Sequence, residues 1–381
     1  MIELKEAMHY VTDKIDVSSL KVKEYISTDN MVSNRGGIID CESLPKANRV
    51  TRYEPGDILI SNIRPYFKKI WFADRISGCS NDVIVFRTNN DNWNKKFLYY
   101  ALSQDKFFDF MMASANGTKM PRGNKEIIPD FLIADYDIKR QTRIADILSA
   151  YDDLIKNNQQ QIKLLEEAAQ RLYKEWFIDL HFPGYENVDI VDGMPRGWEK
   201  NSMNDIAEYL NGYAFKPSDW GTEGLPIIKI KEMNDGITEN TPRNSGEHIP
   251  AKYLIKAGDV LFSWSATLTA MIWDSEDGLL NQHLFKVVPK AGITREFMLQ
   301  SILKTLEEFK NLTTGSTMKH IQRGKLEQVY INVPTKDLMN EYSKQGETIR
   351  QEILTLKKKI SLLAEARDRL LPKLMSGEIE V

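Results

Sequence analysis

Asp130, Asp137 and Lys139 come closest to a catalytic signature in this chain. Pro129-Asp130 followed by Asp137-x-Lys139 fits the loose Pro-Asp…Asp-x-Lys pattern, in which carboxylates hold Mg²⁺ and a lysine polarises water for phosphodiester cleavage. The aligned positions later in the chain carry Glu327-Gln328, Thr335 and Asp337, so the simpler reading is a strand end followed by charged residues in the first turn of a helix. Other chemistries have less support. "GSTMKHIQRGKL" holds the glycines and lysine of a phosphate loop at the wrong spacing, with Leu326 where Ser or Thr would meet Mg²⁺. There is no GxGxxG for a dinucleotide. No two prolines are adjacent, which excludes the Asn-Pro-Pro-aromatic tetrapeptide of adenine methyltransferases. Five histidines and two cysteines are scattered without ligand spacing, and His181, His248 and His283 are expected at the surface or in the core. No catalytic group, metal site or cofactor site is therefore expected in this chain.

Basic, polar and aromatic loops are what the sequence does offer. "SNIRPYFKK" (61–69) carries Arg64, Lys68 and Lys69 with no acid, beside Asn62, Tyr66 and Phe67. Residues 110–125 are also free of acids and hold Thr118, Lys119, Arg122 and Lys125. An equivalent acid-free stretch, 309–326, holds Thr317, Lys319, His320, Gln322, Arg323 and Lys325. Lys and Arg neutralise phosphates, and Arg, Asn, Gln and Lys can read base edges in the major groove. A solvated loop is the bland alternative; recurrence at equivalent sites in two diverged copies favours DNA contact.

What positions these loops is a duplication. "LLEEAAQRL" (164–172) and "LLAEARDRL" (362–370) share six of nine positions at a separation of 198 residues. The first copy lies on a 3.5-residue seam: Leu148, Tyr151, Ile155, Asn158, Ile162, Leu165, Ala169, Leu172 and Trp176. Adding 198 gives Gly346, Ile349, Ile353, Leu356, Ile360, Leu363, Arg367, Leu370 and Leu374, with the same period. Each stripe needs a partner, and the other copy is the simplest one; covering only its own domain's core is the alternative. Asn158 would then act as a register device.

Upstream, "YEPGDILIS" (53–61) parallels "LIKAGDVLFS" (254–263), each a Gly-Asp turn feeding a strand-like run. "GTKM" (117–120) parallels "GSTM" (315–318), and "EIIPDFLIA" parallels "KLEQVYINVP". Helical signals in "FLYYALSQDKFFDFMM" and "EFMLQSILKTLEEF" complete each copy. The expected class is α+β: two tandem α/β heads joined by two long helices pairing as an antiparallel coiled coil, with pseudo-twofold repetition. The expected boundaries are a head at 1–137, a helix at 138–180, a linker at 181–194, a second head at 195–336, and a second helix with its tail at 337–381. The first seam, 148 to 176, would run about 42 Å at 1.5 Å per residue, a little over one turn of B-DNA.

Bulk properties allow this plan. A chain of 381 residues, 42% apolar and 28% charged, has room for two cores. The net charge of −3 divides into +2 over residues 1–140 and −5 over the rest, so local basic stretches matter more than the total. With two cysteines, no 18-residue apolar run, and an opening "MIELKEAMHY" unlike a signal peptide, a cytoplasmic protein without a membrane partner is expected.

At this level the chain resembles the specificity subunit of type I restriction–modification enzymes. "RLYKEWFIDLHFPGYE" (171–186) is similar to the end of that family's central helix, and "MPRGWEK" (194–200) to the Pro-x-Gly-Trp opening of its second recognition domain. "GSTMKHIQRGKLEQVYINVP" (315–334) and "RDRLLPKLMSGEIEV" (367–381) resemble the close of that domain and the family's C-terminus; the first head lacks a Pro-x-Gly-Trp opening. The resemblance implies that each head reads half of a bipartite, asymmetric site in double-stranded DNA, and that the paired helices set the spacer. It implies docking of two methyltransferase subunits, which bind S-adenosylmethionine, and of restriction–motor subunits, which use ATP and Mg²⁺. This chain would bind no cofactor itself and would not be an enzyme.

Candidate DNA contacts are Asn62, Arg64, Tyr66, Lys68, Lys69, Thr118, Lys119, Arg122 and Lys125 in the first head. In the second they are Tyr213, Phe215, Lys216, Ser263, Trp264, Ser265, Thr317, Lys319, His320, Gln322, Arg323 and Lys325, with core packing the commoner fate of Tyr213, Phe215 and Trp264. Two rival classes remain open: a tandem-headed scaffold that binds protein, and a nuclease using Asp130 and Asp137.

Overall fold

The computed structural model describes residues 1–265, 268–311 and 323–381. Two long helices lie where the 3.5-residue seam places them, Ile138–Phe177 and Lys336–Ser376. The first starts at Asp137, whose Oδ1 accepts a hydrogen bond from the Arg140 N–H at 2.9 Å, so this acid caps the helix. No helix among the described residues is long and apolar enough to cross a membrane.

The chain forms two compact units: residues 1–158 with 359–381, and residues 159–358. It therefore passes from one unit to the other in the middle of each long helix. Each unit consists of a head, the near half of the helix that follows it, and the far half of the other helix.

In the first unit, strands β1 (Met8–Tyr10), β2 (Lys14–Asp16), β3 (Arg49–Tyr53), β4 (Ile58–Ser61), β5 (Ile70–Phe72), β6 (Ser77–Cys79) and β7 (Val83–Thr88) form two antiparallel sheets, ordered β1-β7-β4-β5 and β2-β3-β6. Helices α1 (Lys95–Leu102) and α2 (Asp105–Ala113) cover the larger sheet, with Asn94 capping α1 through the Phe97 N–H. The core between them takes Ile144 and Leu148 from the first long helix, and Leu371, Leu374 and Met375 from the second. Tyr136 reaches the Met375 carbonyl and Asp152 meets Arg367, so within this unit the helix segments run antiparallel.

The second unit repeats this plan. Strands β8 (Ala207–Asn211), β9 (Leu225–Ile228), β10 (Val260–Ser263), β11 (Thr269–Ile272), β12 (Gly278–Leu280) and β13 (Leu284–Pro289) include an antiparallel sheet ordered β8-β13-β10-β11. Helix α3 (Arg295–Asn311) lies against it in a core with Tyr173, Trp176, Phe177, Leu338, Met339 and Tyr342 from the long helices. The rings of Trp176 and Tyr342 lie 5.8 Å apart, while Lys357 exerts its charge on Glu166; this pairing too is antiparallel. Phe182 is buried here against Trp198, ring centroids 5.3 Å apart, so the stretch expected as a linker contributes to the core.

The Gly-Asp turns repeat one pattern. Gly56 and Gly258 adopt φ of 91° and 98°, which a side chain would strain. Asp57 then accepts from the Glu54 N–H and from Arg87, and Asp259 accepts from the Lys256 N–H and from Lys286.

The seam has a different role at its ends from that in its middle. Tyr151, Ile155, Asn158, Ile162, Leu165, Ile360 and Leu363 are half-buried along the helices. Leu148 and Leu374 are instead buried in the first head's core, with Leu370 packed against it, and Leu172 packs against the second head's core. Leu356 is buried, and Ile349 and Ile353 line a cavity beside α3. The helix ends thus also cover the heads, closing a sheet-and-helix layer whose apolar face would otherwise meet water.

Candidate nucleic-acid interface

In the first head the β4–β5 loop starts with Ser61, whose hydroxyl donates to the Ile63 carbonyl at 3.0 Å. Arg64 and Lys68 both sit at φ 51°, and Asn34 and Arg35 of a neighbouring loop at 54° and 61°. Left-handed backbone at non-glycine residues is strained, and such strain concentrates at binding sites. Backbone hydrogen bonds join the loops. The Asn34 and Arg35 N–H groups donate to the Phe67 and Lys68 carbonyls at 2.8 and 2.9 Å, and the Arg64 N–H donates to Pro121 O at 2.8 Å. Gly123 N–H donates to Asn62 O at 3.2 Å, and Asn62 N–H to Asp82 O at 2.8 Å. The two acid-free stretches recognised in the sequence are therefore one surface. A Cβ on Gly123 would lie 2.9 Å from both Asn62 Oδ1 and Met111 Cε, so glycine permits this closure.

On this surface Tyr66 and Phe67 are exposed, their rings 4.6 Å apart. Thr118, Lys119, Arg122 and Lys125 are also exposed. The Arg122 guanidinium lies 3.1 Å from Asp82. Three sequence candidates are corrected. Lys68 is ion-paired with Asp105 at 2.8 Å, and Arg35 binds the same carboxylate. Lys69 donates to the Thr28 carbonyl at 2.7 Å, and burial lowers its pKa. Asn62 is buried. Lys68 and Lys69 hold the loop in place because their ammonium groups are already committed within the protein. Asn62 Oδ1 and Arg64 Nε are buried with no hydrogen-bond partner among the described residues.

In the second head the same loop position is more enclosed. Ser263 is buried and donates to the Ser265 carbonyl at 3.2 Å, repeating the Ser61 contact, and Ser265 is buried as well. Phe215 is a core residue, and the half-buried Tyr213 ring packs 4.9 Å from it and 5.4 Å from Tyr253. Trp264 is half-buried, 5.7 Å from the Phe285 ring. Ser263 and Ser265 are therefore corrected to buried positions, while Phe215, Tyr213 and Trp264 take the packing role expected as their commoner fate. Lys216 is exposed, and Lys325 Nζ donates to Gln328 Oε1 at 3.3 Å. Thr317, Lys319, His320 and Gln322 lie outside the described residues, and the Arg323 side chain does too.

The acids of the nuclease-like pattern are engaged separately: Asp130 pairs with Lys5 at 2.9 Å, and Asp137 caps its helix. Among the described residues no group of three or more His, Cys, Asp and Glu side chains is arranged to hold a metal ion. Asn34, Arg35, Asp82 and Asp105 were missed by sequence reasoning. Only "SNRGG" (33–37), a basic turn flanked by glycine, carried a local signal.

A second surface lies on the long helices. Of the six positions shared by "LLEEAAQRL" and "LLAEARDRL", three are exposed in both copies: Leu164, Glu167 and Arg171, and Leu362, Glu365 and Arg369. At steps of three and four they share one helix face. Leu164 and Leu362 are 64% and 56% exposed, so packing within the chain gives no reason for their identity.

The family model described as the type I restriction modification DNA specificity domain matches residues 19–167 and again 195–359. The chain is 24% identical to the type I restriction enzyme HindI specificity subunit of Haemophilus influenzae, an alignment of 449 positions covering 97% of each protein. It is 23% identical to the MjaIX specificity subunit of Methanocaldococcus jannaschii over 305 residues, 75% of this chain and 69% of that one. In fold it is similar to the crystal structure of the type I restriction–modification S subunit from M. genitalium, with a TM-score of 0.53 at 16% identity over 98% of this chain and 95% of that one.

Proposed function

This chain belongs to the type I restriction modification DNA specificity family, and on that premise we propose that it is the sequence-reading subunit of a type I restriction–modification complex. Each head reads one half of a bipartite, asymmetric site in double-stranded DNA. One observation carries this reading: the family match falls twice, on two heads whose four-stranded antiparallel sheets share one strand order and whose loop residues differ. A common backbone with divergent loops suits two unlike half-sites.

The first head's surface suits DNA in its chemistry. Lys119, Arg122 and Lys125 meet phosphates or guanine edges, and Tyr66 and Phe67 offer apolar faces. The paired helices set the spacer between half-sites. The repeated Leu-Glu-Arg stripe supports docking of two copies of one partner, the methyltransferase subunit, since a duplicated exposed face fits the same protein twice. Restriction–motor subunits join for cleavage. Methyl transfer from S-adenosylmethionine, and ATP- and Mg²⁺-dependent work, belong to those partners, and this chain is non-catalytic.

The test is a map of adenine methylation in the host genome with and without this gene. Loss of a single split motif, two short blocks around a fixed gap, is the expected result. An unchanged map, even after the methyltransferase partner is supplied, overturns the reading.

A further inference from the structure

The turn between β6 and β7 in the first head has a counterpart between β12 and β13 in the second, and the two share one hydrogen-bond pattern. The N–H of Ser80 donates to Ile26 O at 2.8 Å, and that of Asn281 to Ile228 O at 3.0 Å. Val83 N–H returns to Ser80 O at 2.9 Å, and Leu284 N–H to Asn281 O at 3.0 Å. The Ser80 hydroxyl accepts from the Asp82 N–H at 3.3 Å, and Asn281 Oδ1 accepts from the His283 N–H at 3.4 Å. Such side-chain-closed turns are locally rigid.

Both turns belong to the surface already described. Asp82 receives the Asn62 N–H and pairs with Arg122, while the His283 ring lies 6.2 Å from that of Trp264, the residue following Ser263 as Asn62 follows Ser61. At the tip stand Asn81 and Gln282, both exposed, and neither side chain has a hydrogen-bond partner among the described residues. They differ by one methylene. An exposed carboxamide on a fixed turn presents one donor and one acceptor side by side, the complement of adenine N7 and N6 in the major groove. The neighbouring residue differs in character: Asp82 is an acceptor held by arginine, and His283 is an imidazole whose Nδ1 is buried without a partner among the described residues.

We propose that Asn81 and Gln282 are equivalent base-reading residues, each contacting the adenine of an A·T pair in its own half-site, with Asp82 and His283 setting the context beside it. This rests on the DNA-reading function proposed above and names where in each head a base is read.

The experiment uses the full-length chain in complex with its methyltransferase partner, and duplexes carrying single base-pair exchanges at every position of the wild-type site. If the wild-type complex shows no split site, the proposed function itself fails. With that site in hand, Asn81→Ala is expected to reduce discrimination about 5- to 150-fold at one A·T position in one half, and Gln282→Ala at one position in the other half. Gln282→Glu is expected to move the preference there from adenine toward cytosine, whose N4 donates to a carboxylate. Because ratios between duplexes are read, a weakened complex still reports. Unchanged discrimination at every position overturns the proposal, and so does a uniform loss of affinity with all base preferences kept, which would make the amides phosphate contacts.

Discussion

Asp152 and Arg367, 215 residues apart, meet at 2.5 Å between the two long helices, and the Tyr100 hydroxyl of the first head donates to the same carboxylate at 2.6 Å. Burial, together with the Asp152 charge, pushes the Tyr100 pKa well up, so the phenol remains a donor. A head and two helix segments are thus held by one carboxylate. Removing the guanidinium leaves a partly buried charge short of a partner. Arg367→Ala is expected to destabilise the first unit by roughly 2–4 kcal/mol, with Arg367→Ala plus Asp152→Ala recovering part of that. Denaturant unfolding of the single and double variants measures it. Additive losses would mean that the pair contributes little. The second unit does not repeat the contact, since the positions 198 away hold Arg350 and Ala169. There Ala169, Gly346 and Arg350 line a cavity of about 340 Å³.

Acid sensitivity is expected in the second unit, at Glu347. Arg350 grips this carboxylate at 2.6 Å, Gln351 and Arg295 add hydrogen bonds, and the pKa falls from 4.5 to about 2. A carboxyl whose folded pKa is depressed contributes stability above its unfolded value, and that contribution is lost as pH falls through the folded one. Glu347→Gln should therefore be less stable than the parent above pH 4.5, with the difference shrinking toward pH 2. Thermal unfolding across that range checks this, and a difference independent of pH would show that Glu347 acts by packing alone.

Asp105 restrains basic groups at the edge of the first head's surface. Burial pushes its carboxyl up, but hydrogen bonds from Lys68 and Arg35 outweigh this and hold it below its usual value. Asp105→Asn removes the counter-charge of both cations. Non-specific duplex binding should tighten, and the slope of log affinity against log salt should steepen by about 1–2, while the preferred sequence stays the same. A flat response would place Arg35 and Lys68 away from the DNA. Lys119→Ala on the exposed loop should act oppositely, lowering the slope by about 1 for every sequence.

The repeated stripe predicts a stoichiometry. On the proposed docking the parent should hold two methyltransferase subunits per chain, Leu164→Glu alone or Leu362→Glu alone should hold one, and the double variant none. Native mass spectrometry of the purified complex counts them. Because both leucines are more than half exposed, folding should change little, within about 0.5 kcal/mol. Two partners retained by the double variant would move the docking surface elsewhere.

Several features are legible in the amino-acid sequence. The seam from Leu148 to Trp176 and its copy from Gly346 to Leu374 predict the two long helices, because periodicity is local information and a helix obeys it wherever it lies. Gly56-Asp57 and Gly258-Asp259 predict paired turns for a similar reason, since a positive φ must be supplied by the residue that stands there. The absence of acids from 61–69 and 110–125 marked two loops that the fold then joined through Arg64 and Pro121.

What the amino-acid order alone determined, then, was the duplication, the helical periods, the turn glycines and the chemical character of the loops. Tertiary structure decided which polar groups are free. Lys68 and Arg35 are bound by Asp105, Lys69 by the Thr28 carbonyl, and Ser263 is buried, and each of these partners lies far away in sequence or across a sheet. It also decided that Leu374 completes the first head's core and Trp176 the second's. The reason is physical: a helix's apolar stripe states that it must be covered, but not by what. Only the packed chain selects that partner, because burial depends on which surfaces meet and not on the residue type alone.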